Sequence, residues 1–330
     1  MAVAGTPARR GPVIAAFMAI YLIWGSTYLG IRFAIESIPP FLLAASRFSL
    51  AGVIMLVAAR ARRAPGVTLP QFRTAAIVGS LLMLGNSLVG VAERRIPSGI
   101  AALLVAMTPV FMVLLEWARP GGRRPTVLVG VGLLIGLTGV ATLVGPASFG
   151  GGTRVDLVGA ATVILGSLAW SVGSIYSRHA PRPQSAVMMT AIQMLVGGVF
   201  VGVLGIMIGE LAAFRIAAVS ARSLAAWVYL LIVGSLIGFT AFVFLLRVST
   251  PARVATYAYV NPVVAVILGW LLAGEAISAR MLVAAAIIVG GVALITIAEA
   301  RSPAPPQPKP VRREDGLPKQ TGDFPIIDSA

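Results

Sequence analysis

Apolar runs of about 20 residues recur from residue 12 to residue 298, with only short gaps between them. A run of that length is what an α-helix needs to cross a hydrocarbon core about 30 Å thick. A soluble fold has no interior large enough to bury so many. Only 11% of the residues are charged, against roughly a quarter in soluble domains, so too little charge remains to solvate a surface. The lipid bilayer is therefore the expected surrounding. The first run follows Arg9 and Arg10, but it is long, contains Trp24, Tyr28 and Arg32, and is followed by further runs. It reads as a spanning helix and not as a cleaved signal peptide.

Ten spans are expected, near 12–32, 39–59, 74–93, 97–117, 125–144, 156–176, 184–208, 224–247, 251–273 and 279–298. Pro97 and Pro251 can each begin a helix, because the first-turn N–H has no partner within the helix. Arginines cluster in alternate gaps. One side takes Arg9, Arg60, Arg62, Arg63, Arg73, Arg119, Arg123, Arg124, Arg178, Arg182 and the C-terminal tail, while the other has fewer, among them Arg32, Arg94, Arg95, Arg154, Arg215, Arg222 and Arg280. The positive-inside bias puts both termini in the cytoplasm and the chain, as a multi-pass protein, in the cytoplasmic membrane. Residues 1–11 form a short N-terminal segment, and residues 301–330, rich in proline and mixed charge, read as a disordered tail. The stretch from Glu210 to Arg222 mixes apolar and charged residues as a segment lying along the interface would.

The formal charge of +15 would suggest nucleic acid in a soluble protein, but here it sits in gaps between spans, so no nucleic-acid partner is expected. The chain has no cysteine, and its one histidine, His179, lies in a basic gap and reads as solvated. No metal or cofactor is expected. A nucleotide-binding P-loop needs a lysine after its glycines, and the only lysines are Lys309 and Lys319 in the tail.

The two halves resemble each other. Ile23-Trp24-Gly25-Ser26 aligns with Ala169-Trp170-Ser171-Val172, Arg47 with Gln193, and Gly52 with Gly198. Further on, Thr108-Pro109 aligns with Asn261-Pro262 and Trp117 with Trp270. Each unit, 12–144 and 156–298, holds five spans. An odd number forces two copies in one chain to run through the membrane in opposite senses. The expected fold is thus an all-α integral membrane protein of ten transmembrane helices in two inverted five-helix repeats. Such repeats are characteristic of secondary transporters, with substrate held near the midplane between them.

The residues themselves are similar to those of the EamA family of the drug/metabolite transporter superfamily. The resemblance rests on Leu22-Ile23-Trp24-Gly25-Ser26-Thr27, Arg47-Phe48, the Pro97-to-Leu104 segment with Pro109, Asn261-Pro262 and Gly274-Glu275. Gly85-Asn86-Ser87 through Ala92-Glu93 looks most like the YedA-type exporters of that family. The resemblance covers roughly 12–298. It implies ten helices, cytoplasmic termini, a central cavity, and export of amino acids, metabolites or drug-like compounds. One departure is that Arg119-Pro120-Gly121-Gly122-Arg123 stands in the first half where the second has Gly274-Glu275.

Candidate substrate-binding residues are Trp24, Tyr28, Arg47, Asn86, Trp170, Gln193, Tyr257 and Asn261. Arg47 is the sharpest, because a charge in mid-span costs at least ~2.5 kcal/mol and must face a cavity or a partner. Binding a substrate carboxylate and pairing structurally within the bundle are equally open readings of it. Trp24 and Tyr28 share one helical face, as do Tyr257 and Asn261, and aromatic walls with polar tips suit a small-molecule pocket. Trp117 and Trp270, near helix ends, read as interfacial belt residues. Pro109 and Pro262 are candidate hinges, each freeing a carbonyl one turn back. Glu93 is a candidate proton-coupling group, set against a bland reading as a solvated or arginine-paired carboxylate. Gly132 and Gly136 form a small-residue seam, and a homodimer face is one use for it. A membrane-embedded enzyme and a channel are the rivals to a transporter. The first would need clustered acidic residues or a catalytic histidine set, and the second would favour pore rings from several subunits.

Overall fold

A computed structural model describes residues 10–122, 124–144, 155–249, 254 and 256–301. Arg9, Arg123, Arg154, Pro251 and the 302–330 tail lie outside the described residues.

The helices are α1 Arg10–Ala34, α2 Pro40–Ala61, α3 Leu69–Ala92, α4 Ser98–Val105, α5 Thr108–Ala118, α6 Val127–Val144, α7 Leu157–His179 and α8 Ala186–Met207. A short α9 Glu210–Ala213 and a 3₁₀ turn at Ile216–Ala218 follow. Then come α10 Ala221–Tyr229, a π-helical stretch Leu230–Ile237, α11 Gly238–Val248, α12 Tyr257–Ala273 and α13 Ala279–Arg301. Among the described residues nine helices are long and apolar enough to cross a membrane, counting α4–α5 and α10–α11 as one each, and α12 is a shorter apolar helix. At 1.5 Å per residue, the 17 residues of α12 reach about 26 Å, just short of a hydrocarbon core.

Two spans differ from the unbroken helices expected. The fourth is interrupted at Ala106–Met107, because Pro109 cannot donate to Val105. Thr108 Oγ1 donates to that carbonyl instead, at 2.6 Å. The eighth widens into π-helix at its centre, where Ser235 Oγ bonds back five residues to the Leu230 carbonyl at 3.0 Å.

Helix starts follow local chemistry. Thr68 and Gln71 form a capping box on α3, and Asp156 accepts from Gly159 N–H at 2.7 Å on α7. The α2 and α4 helices, which follow Pro39 and Pro97, have no side-chain cap of their own. Distant carboxylates supply it. Glu210 accepts from Leu42 N–H at 3.0 Å, and Glu275 accepts from Ser98 N–H at 2.7 Å and Gly99 N–H at 3.1 Å. A carboxylate at a helix N-terminus satisfies orphan donors and meets the positive end of the helix dipole.

The halves interleave. The α2 helix packs on α8, α6 on α13, α3 on α7 and α8, α1 on α10–α12, and α5 on α7. Close approach of backbones sets several of these seams. A β-carbon on Gly52 would stand 2.5 Å from Leu195 N, and one on Gly198 would stand 2.7 Å from Ser49 N. A β-carbon on Gly79 would run into the Gln193 carbonyl oxygen, and one on Gly197 into that of Gly79. The Gly132–Gly136 seam is taken up inside the chain. Gly132 faces Ile295 and Gly291 of α13, and Gly136 faces Met107 and Val110. That corrects the homodimer reading of it, because these surfaces are already covered. Trp117 and Trp270 point outward, 49% and 54% exposed, as residues of an aromatic belt would.

Candidate functional site

A cavity of about 1060 Å³ runs between the halves. It ends among buried Ile31, Val89 and Ala102 and extends to the exposed Arg178, Arg182 and Gln184, where it reaches the surface. Trp24, Tyr28, Arg47, Asn86, Trp170, Gln193, Tyr257 and Asn261 all line it, as do Pro109 and Pro262.

Arg47 lies in mid-α2 and is 3% exposed. Its guanidinium donates to Asn86 Oδ1 at 2.6 Å and lies over the Phe48 ring, 4.0 Å from the centroid. Its Nε has no hydrogen-bond partner, and no carboxylate lies within ion-pair reach among the described residues. The structural pairing weighed above thus reduces to a neutral amide. Gln193, opposite on α8, is half-buried at the same cavity.

Trp24 anchors an aromatic cluster. Tyr257 meets it edge-to-face at 5.1 Å between centroids, Phe239 at 5.4 Å, and Phe242 at 5.1 Å in a tilted pair. Phe239 and Phe242 were not foreseen, because ordinary apolar spacing hides which face of a span meets a cavity. Gly238 makes room for Trp24, since a β-carbon there would stand 2.5 Å from Nε1. Asn261 is 7% exposed. Oriented to satisfy its neighbours, its amide donates to the Tyr21 and Tyr257 carbonyls at 3.2 Å each. Its amide nitrogen therefore holds α1 against α12.

The prolines are not equivalent in detail. Pro109 sits in the first turn of α5 after a break, whereas Pro262 lies inside the continuous α12. The carbonyl freed by Pro109 is already taken by Thr108.

The two ends of the bundle differ. At the closed end Arg32 donates to the Glu93 backbone carbonyl, and Arg95 pairs with Asp156 at 3.5 Å. Glu93 is fully buried, does not line the cavity, and has no hydrogen-bond partner for either carboxyl oxygen. This corrects the reading of it as solvated, while the neighbouring Arg32 bonds its backbone carbonyl and not its carboxylate. At the open end Glu116 binds Arg119 at 3.0 Å and His179 at 3.1 Å. His179 is therefore not merely solvated, since α5 and α7 converge where their ends meet. No spacing rule connects residues 63 apart.

The EamA-like transporter family profile matches the chain twice, over residues 11–145 and 157–297. The chain belongs to this family. Among EamA relatives, the inner membrane transporter YedA of Escherichia coli (strain K12) is 39% identical over 91% of this chain and 95% of its own. A probable terminal-alkyne amino-acid exporter of Streptantibioticus cattleyicolor is 27% identical over 85% and 92%. One protein crystal structure superposes with a TM-score of 0.58 at 24% identity, covering 89% of this chain and all of that one, a likeness of fold. Membership of this family makes the chain a membrane transporter.

Proposed function

We propose that the chain is a secondary transporter that exports a small metabolite across the cytoplasmic membrane by alternating access, with both termini cytoplasmic. The observation that carries this reading is a cavity reaching from buried Ile31, Val89 and Ala102 to exposed Arg178 and Arg182, with a buried guanidinium in its wall. Inverted five-helix repeats are supported by the packing. Several helix contacts are related when the halves are exchanged: α2 on α8 and α6 on α13 map onto themselves, α3 on α7 maps onto α1 on α10–α11, and α5 on α7 onto α1 on α12. The Gly52–Leu195 and Gly198–Ser49 approaches are related by the same 146-residue offset as Arg47 and Gln193. The arginine bias puts the open end towards the cytoplasm, where an exporter loads.

The test is counterflow. Proteoliposomes holding the full chain are preloaded with unlabelled amino acids and organic acids, and entry of labelled ones is followed. Absence of counterflow for every solute from well-folded protein would sink the reading. Glu93 is the candidate proton carrier, because an unpartnered carboxyl sealed from water is best tolerated neutral. Glu93→Gln should keep counterflow at equal pH but lose at least tenfold of any acceleration by an imposed pH gradient. An unchanged gradient response excludes Glu93. Pro109 is the hinge on this reading. Pro109→Ala, which lets α4 and α5 join, should slow exchange several-fold, and unchanged kinetics would remove that role.

A further inference from the structure

The charges facing the cavity narrow the class of substrate, on the transporter reading above. Among the described residues those charges are Arg47, Glu116, Arg178 and Arg182. Glu116 is committed, held by Arg119 and His179. Arg47 is not. A guanidinium is a planar fork of five donors, and this one, 97% buried, has one acceptor and an unpartnered Nε. A buried cation with so few bonds is costly unless something else completes it. The Trp24 cluster supplies the apolar wall of the same cavity.

We propose that the cavity takes an organic anion without an ammonium group: an oxyanion seated on Arg47 beside Asn86, with an apolar body against the Trp24 cluster. Arg178 and Arg182 at the mouth draw it in. A zwitterionic amino acid would bring its ammonium into a cavity with no uncommitted carboxylate, and a cation would meet three arginines.

The test uses purified full-length protein and three membrane-impermeant solutes on one aromatic skeleton: phenylpropanesulfonate, phenylalanine and phenylpropyl-trimethylammonium. Binding is read by quenching of tryptophan fluorescence, since Trp24 and Trp170 line the cavity, and transport by counterflow. The sulfonate should bind at least about tenfold more tightly than the other two, as one charge-assisted hydrogen bond would give. Arg47→Gln should erase that preference. Arg182→Gln, on an exposed side chain, should slow association of the sulfonate and flatten its salt dependence while quickening association of the cation. Preferred binding of phenylalanine or the ammonium overturns the anion assignment and leaves transport standing. Tight sulfonate binding without counterflow of any solute upholds the assignment and overturns transport. Binding of none overturns the assignment outright.

Discussion

Gly79→Val is expected to leave almost no folded protein in the membrane. A side chain at residue 79 collides with the backbone carbonyl of Gln193 and would stand 2.6 Å from its Cα. Neither obstacle is the tip of a side chain that can swing aside, so α3 and α8 must separate. The same seam carries the reciprocal approach of Gly197 to the Gly79 carbonyl, so separation loosens both contacts together. Overpacking of this kind costs ~1–3 kcal/mol where neighbours can yield and more where they cannot. The monodisperse peak in detergent size exclusion should fall at least about tenfold, with a clear loss of thermal stability in what remains. Gly130→Val is the control. No atom lies within 4 Å of a β-carbon there, and both yield and melting should match the parent. A Gly79→Val protein that melts like the parent would refute the backbone-to-backbone seam.

Glu275→Gln is expected to shift the protein towards the state open at the opposite end. In the state described here the Glu275 carboxylate ties the α12–α13 turn to the first two N–H groups of α4. Charge-assisted hydrogen bonds contribute about 1.5–3 kcal/mol. Losing one, with the dipole attraction, corresponds to a change in population of roughly tenfold or more. Gly121 and Gly274 both take a left-handed backbone, with φ of 74° and 65°, but the residue after Gly121 is Gly122 and the residue after Gly274 is Glu275. Closure at the other end has no such carboxylate from that turn, so the bias towards the observed state should rest heavily on Glu275. The chain has no cysteine, so one introduced at Val105, which lines the cavity, gives a clean reporter. In the parent, a membrane-impermeant maleimide should label it from the mouth side only. Glu275→Gln should raise labelling from the other side about tenfold. Equal labelling in the two proteins would show that Glu275 does not hold the closed end.

What the sequence made legible follows the range of the interactions. Span positions come from runs of apolar residues, a local property, and α1, α2, α6 and α8 begin and end within about three residues of expectation. The residues on the cavity wall were legible because Arg47, Asn86, Gln193 and the aromatics are anomalies against an apolar background. The break before Pro109 had a visible cause, yet the span still reads as one run because apolar character continues through Ala106 and Met107. The latch from Glu275 to Ser98 was hidden, joining residues 177 apart whose types alone suggest nothing. Glu93 looked like any acidic residue at a helix end, and only its burial sets it apart. The small-residue seam was legible as a seam but not as to its partner, since α13 and a second chain offer a glycine stripe the same kind of surface.

The π-helical stretch at Leu230–Ile237 has a bearing on how this family can vary. An α-helix turns about 100° per residue, and a π-turn fits one extra residue into nearly the same rise. Whatever follows the widened turn is therefore rotated by that angle relative to a plain α-helix. Phe239 and Phe242, which meet Trp24, come directly after it. Loss of a single residue from this stretch would let the helix tighten to ordinary α-geometry with its length almost unchanged. It would also turn both rings off the cavity wall and bring another pair of faces round. The span thus works as an indexing wheel, in which a one-residue insertion or deletion, ordinarily ruinous inside a helix, becomes a route to a differently lined chamber on the same scaffold.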